Sequence, residues 1–139
     1  MKETPIKLTT RQAQATIAAA AAKAAEIRVA MNIAVLDAGG HLKAFLRMDG
    51  ALLGSIDIAQ RKARTAVLFE ANSEALWTYC RPDGPAPGLE LTNGILATFA
   101  GGIPLKTAAG ETMGAIGISG GAVTQDAEVA RAGANAFHP

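Results

Sequence analysis

Residues 31–47 read MNIAVLDAGGHLKAFLR, and this stretch decides the fold. Met31 to Asp37 is a near-continuous apolar run, the pattern of a strand covered on both faces. Asp37-Ala38-Gly39-Gly40 is a turn signal, since Gly tolerates left-handed backbone and Asp bonds to its own chain. Leu42, Ala44 and Leu46 then alternate with His41, Lys43, Phe45 and Arg47, so a second strand follows. So short a connection makes the pair an antiparallel hairpin.

Upstream, Thr9 and Gln12 have the spacing of a capping box. Ile17, Ala20, Ala21, Ala24 and Ile27 recur at helical spacing behind it, and nine Ala lie between positions 13 and 25. A first helix is expected from about Arg11 to Ile27. Downstream, Met48 to Gly54 is a loop, and Ser55 is the expected cap of a helix running to about Glu70. Ser73 to Tyr79 reads as a shorter helical piece. Arg81 to Gly88 holds three Pro and two Gly and is an exposed loop. Ile95 to Phe99 reads as a short strand. Ile103–Thr107 and Thr112–Ser119 read as a hairpin turning at Ala109-Gly110. A last helix is expected, capped by Thr124, with Ala127, Ala130, Ala134 and Phe137 inward. The whole order predicts one α/β (α+β) domain over residues 1–139. Its antiparallel sheet of about five strands is flanked by helices.

Half the residues are apolar but only 4% are aromatic, so the core is built from Ala, Val, Ile and Leu. Thirteen basic residues balance twelve acidic ones, which removes the electrostatic case for a nucleic-acid partner. Cys80 is the single cysteine, so no intrachain disulfide or multi-cysteine metal site forms. Met-Lys-Glu-Thr-Pro does not read as a signal peptide, and the Ala-rich run interrupted by Lys23 is too short to span a bilayer. The expectation is a cytoplasmic protein without a membrane partner.

Candidate chemistry gathers at a few positions. Projected at 100° per residue, the helix after Ser55 puts Lys62 and Thr65 in a stripe with Ile58 and Phe69, apart from Arg61 and Arg64. A cation and a hydroxyl framed by apolar groups suit a small carboxylate or a porphyrin propionate; the alternative is that Lys62 snorkels to solvent. Arg47 and Asp49 end the second strand, as an anion-binding and a proton-transferring candidate or as solvated charges. Gly101, Gly102, Ser119 and Gly120 form two glycine-rich turns, the second before a helix N-terminus where amides hold anions. Asp126 follows in the first helical turn, as a dipole-compatible acid or an acid/base. His41 is the candidate iron ligand, or a surface histidine beside a turn.

The segments Ile33-Ala34-Val35-Leu36-Asp37-Ala38-Gly39-Gly40-His41-Leu42 and Arg47-Met48-Asp49-Gly50-Ala51 resemble the GlcG/HbpS family, also known as the PduO C-terminal domain family. Lys62-Ala63-Arg64-Thr65-Ala66, Gly101-Gly102-Ile103-Pro104, Gly114-Ala115-Ile116-Gly117-Ile118-Ser119-Gly120, Gln125-Asp126 and Ala130-Arg131-Ala132-Gly133 continue the likeness in order, from about residue 8 to 137. The resemblance implies a profilin-like fold and homo-oligomers. It also implies small-molecule binding, with haem or another tetrapyrrole in some members, and roles in small-acid catabolism. Two functions follow as expectations. One is a cytoplasmic accessory protein binding a carboxylated ligand, with haem a possible cofactor, through Arg47, Lys62, Thr65 and the glycine turns. The other is a hydrolase, deaminase or isomerase of a small unsaturated or hydroxy carboxylic acid, with Asp49 or Asp126 moving protons.

Overall fold

The computed structural model describes residues 7–139; the N-terminal stretch read for a signal peptide lies outside them. The elements are α1 (Thr10–Glu26), β1 (Asn32–Asp37), β2 (Leu42–Arg47), α2 (Gly54–Phe69), α3 (Trp77–Cys80), β3 (Gly102–Lys106), β4 (Thr112–Ser119) and α4 (Val123–Asn135). Short 3-10 turns occupy Ser73–Leu76 and Leu89–Leu91. The four strands form one antiparallel sheet in the order β2-β1-β4-β3.

The apolar runs explain the layering. Side chains along a strand alternate between faces. Ile33 and Val35 of β1, with Ile116 and Ile118 of β4, join Ala13, Ala20 and Ala24 of α1 and Val129 and Ala130 of α4 in the larger core. Leu36 and Ala115 point the other way and meet Ala63, Ala66 and Val67 of α2. The sheet is therefore covered on both faces, as the continuous apolar run in β1 predicts. Small residues set the spacing. A Cβ at Gly117 would lie 1.9 Å from the Ala59 carbonyl oxygen, so only glycine lets α2 sit this close to β4.

The Thr9–Gln12 capping box is present, with both reciprocal bonds made. Three local expectations are corrected. Ile95–Phe99 is not a strand, so the sheet has four strands rather than about five. Two of its amides find partners outside any strand ladder: Leu96 N–H donates to the Glu90 carbonyl at 2.8 Å and Ala97 N–H to Thr65 Oγ1, 32 positions back, at 3.1 Å. Ser55 does not cap α2, which begins one residue earlier without a side-chain cap. Thr124 does not cap α4. Instead Ala122 N–H donates to Gln125 Oε1 and Gly121 N–H to Asp126 Oδ1, which draws Asp126 inward. The buried face of α4 accordingly runs through Asp126, Val129, Ala130 and Gly133, displaced from the Ala127 stripe.

Candidate functional site

Among the described residues Lys62 is the largest side chain wholly shut off from solvent. The close seat of α2 carries it over the end of β4, where its ammonium donates to the Ile118 carbonyl at 2.8 Å. Asp126, from the first turn of α4 on the opposite face of the sheet, closes an ion pair with it at 2.9 Å. The two helices thus reach around the end of β4 and clasp. Asp126 spends its second oxygen on the Gly121 amide, 3.0 Å away. The Phe99 ring covers the ammonium, its centroid 4.9 Å from Nζ, a cation–π geometry. Burial pushes the Lys62 pKa below its ordinary value, against the upward pull of Asp126.

The wall behind this pair is glycine by necessity. Gly101 has φ +129°, and a Cβ there would lie 2.5 Å from the Ile118 oxygen and 2.8 Å from Lys62 Nζ. Gly102 lies against the Lys62 carbonyl. Two hydroxyls fix the segment that carries Phe99. Thr65 Oγ1 donates to the Arg61 carbonyl at 2.8 Å and accepts from Ala97. Ser73 Oγ donates to the Phe99 carbonyl at 2.7 Å and accepts from Gly102 N–H at 2.9 Å.

Outside the Phe99 ring runs an open groove of about 420 Å³, walled by Glu74, Trp77, Thr98, Phe99, Ala100 and Val123. Trp77 is 51% exposed, Phe99 42% and Val123 46%. The chain has only six aromatic residues. Four of them, Phe69, Trp77, Tyr79 and Phe99, are exposed between positions 69 and 99. The core is thus mainly Ala, Val, Ile and Leu, with Met31, Met113 and Phe137, and most of the aromatic surface is placed outside.

The sequence candidates therefore separate. Lys62, Thr65, Gly101, Gly102 and Asp126 come together, as a closed assembly beneath the groove. Lys62 neither lines an open pocket nor snorkels to solvent, because the interior supplies all its partners. Ser119 is buried at the end of β4, paired in register with Asn32, and Gly120 packs on the Ala30 carbonyl. Arg47 lies across Asn32 from Ser119, exposed at the end of the edge strand β2. Asp49 is exposed in the following turn. Neither joins the Lys62–Asp126 pair. His41 sits at the β1–β2 turn, where its amide donates to Asp37 Oδ1 at 3.0 Å, beside Lys7 and Lys43 rather than at the aromatic groove. Among the described residues no three His, Cys, Asp or Glu side chains are grouped to hold a metal ion. The residues not singled out from sequence are Trp77, Phe99, Glu74 and Val123. The signal that marks two of them, Trp77 and Phe99, is compositional: four of the six aromatics of this aromatic-poor chain fall between positions 69 and 99.

An antiparallel sheet packed between α2 and the α1–α4 pair, with a buried ion pair behind an open aromatic groove, defines a small α/β sandwich with an apolar surface groove. The chain belongs to the HbpS-like family, whose model, described as haem degrading protein HbpS-like, matches residues 8–135. It is 37% identical over 117 residues to a Citrobacter freundii 15.0 kDa protein from the dhaT–dhaS intergenic region, covering 84% of this chain and 82% of that one. It superposes on the Klebsiella pneumoniae protein ORFY with a TM-score of 0.92 and 34% identity, over 99% of this chain and 95% of that one. It superposes on the PduOC protein solved as a haem complex with a TM-score of 0.89 and 32% identity, over 96% of this chain and all of that one.

Proposed function

We propose that this protein binds a flat, largely apolar small molecule on the groove of Trp77, Phe99 and Val123, with haem or another tetrapyrrole as the ligand class. One observation carries the reading: an aromatic-poor chain leaves its only tryptophan and a phenylalanine exposed side by side on a concave apolar surface. The residues fit the macrocycle's apolar body, which stacks on Trp77 and Phe99. Glu74 and Thr98 are the oxygen-bearing side chains at the groove, and iron, when bound with the macrocycle, supplies redox chemistry. The chain's own part is to stack, orient and dry one face. An open groove covers one side of a flat ligand, which favours a homo-oligomer in which a second copy covers the other. A cytoplasmic accessory role in small-acid catabolism accords with this reading.

An enzymatic reading on a small carboxylic acid draws on Lys62 and Asp126, a lysine of lowered pKa beside a carboxylate, one aromatic ring beneath the groove. Haemin titrations followed in the visible spectrum test the binding reading. Wild type should bind with a saturable Soret change. Trp77→Ala should weaken binding about tenfold, the scale of one lost aromatic contact and its buried area, while His41→Ala leaves it unchanged. A loss on His41→Ala with Trp77→Ala unaffected would move the site to the β1–β2 turn and overturn the proposal.

A further inference from the structure

On the flank of α2 away from the aromatic groove, Arg61 and Arg64 lie one turn of helix apart and are both held by one loop. Arg61 Nη1 donates to the carbonyls of Gly94 and Ile95, the latter at 2.9 Å, and Arg64 Nη1 donates to the Asn93 carbonyl. Those three loop residues are consecutive and all left-handed, with φ of +54°, +73° and +75°. Ile95 is β-branched, and such a residue at positive φ is a true outlier that persists only when its surroundings impose it. The loop thus holds its carbonyls toward the arginines at a conformational cost, and the guanidinium groups are fixed rather than waving in solvent.

Beside them is a polar concavity of about 230 Å³ between α2 and the β1–β2 hairpin. Leu36 and Leu42 give it an apolar side, and Gln60, Asp57, Arg61 and Arg64 a polar one. Arg61 Nε is paired with Asp57 at 2.6 Å. Arg64 has no carboxylate within 4.0 Å among the described residues, and one of its nitrogens alone is engaged there. An oriented guanidinium with unspent donors, opening on a small hollow, is the arrangement that takes an oxyanion.

The geometry points to a second binding site here, for a small aliphatic monocarboxylate, its carboxylate on Arg64 and its short chain against Leu36 and Leu42. The charge balance selects the class. Two guanidinium groups face one resident carboxylate, Asp57, which leaves one net positive charge. A monoanion neutralises it, whereas a phosphate dianion meets Asp57 with excess negative charge. The hollow, about 230 Å³, has room for a short aliphatic chain beside the carboxylate. This site is independent of the aromatic groove, so either stands if the other fails.

The test is a titration of ¹³C,¹⁵N-labelled full chain with butyrate, and separately with inorganic phosphate at equal ionic strength. Butyrate should shift the Arg64 side-chain Nε–H and the Leu42 methyl resonances saturably while the Trp77 indole signal stays still. Arg64→Met should weaken butyrate about tenfold or more, the scale of a lost charged hydrogen bond. Arg64→Lys, which keeps the charge and loses the fork, should fall between, and Lys43→Met should bind as wild type. Unchanged melting temperatures for these variants exclude unfolding as the cause. Phosphate binding with butyrate silent, equal butyrate affinity for Arg64→Met, or no saturable shift up to 50-fold excess over a millimolar constant, about 50 mM, would each overturn the assignment.

Discussion

Arg61 and Lys62 are neighbours on α2, and the sheet treats them oppositely. One step of 100° about the helix axis leaves Arg61 on the rim, paired with an exposed Asp57 and with loop carbonyls. The same step turns Lys62 over the end of β4, where a carbonyl, a carboxylate and an aromatic ring consume its charge. The contrast teaches that a cation's meaning depends on what the next layer brings to it. Lys62 joins layers, because its partner Asp126 comes from the far side of the sheet. Arg61 and Arg64 shape a surface.

The strongest way to break this comparison is Lys62→Met. It keeps most of the stem volume and leaves Asp126 as an uncompensated buried charge, which should cost about 3–5 kcal/mol. Adding Asp126→Leu should recover much of that, since no charge is then left unpaired. Chemical denaturation of the single and double variants checks both. A loss below about 1 kcal/mol for Lys62→Met would return Lys62 to the class of surface cations.

Gly101→Ala should cost about 1–3 kcal/mol for its left-handed backbone, and more where the new methyl overlaps the Ile118 oxygen and Lys62 Nζ. The same denaturation series reads it, with Gly110→Ala, left-handed but open around its Cα, separating backbone strain from overlap. A further sharpening uses pH. The folded-state pKa of Lys62 lies below the unfolded value, so between the two the unfolded chain binds more protons. Stability from this titration therefore rises with pH in that window below 10.5. The gap between wild type and Lys62→Met should widen as pH climbs toward 10.5; a narrowing gap would contradict the lowered value. Arg61→Met is the smallest effect, about 0.2–1 kcal/mol, as for an exposed pair.

The hairpins, the Thr9 cap, the long helices and the two-sided burial of β1 are legible in the sequence because each follows from a local period or turn residue. Ile95–Phe99 misleads because its short apolar run is strand-like, while its backbone is captured by Glu90, Thr65 and Ser73, which no local pattern reveals. The α2 stripe correctly isolates Lys62 and Thr65 from Arg61 and Arg64. It leaves open whether the stripe faces a ligand or another layer, since that depends on where Asp126, 64 positions on, arrives. Trp77 opens the one-turn α3 and Phe99 lies outside any helix or strand, so neither sits in an apolar period long enough to read and only their rarity marks them.

The most direct test of the proposed ligand groove uses the chain's single tryptophan, whose indole N–H gives one signal in an amide correlation spectrum. Wild type is titrated with metal-free protoporphyrin, which avoids paramagnetic loss. The Trp77 indole signal and the backbone amides of Phe99, Ala100 and Val123 should shift together and saturate, with His41 and Lys43 unmoved. A saturable response at His41 and Lys43 with Trp77 stationary would contradict the account.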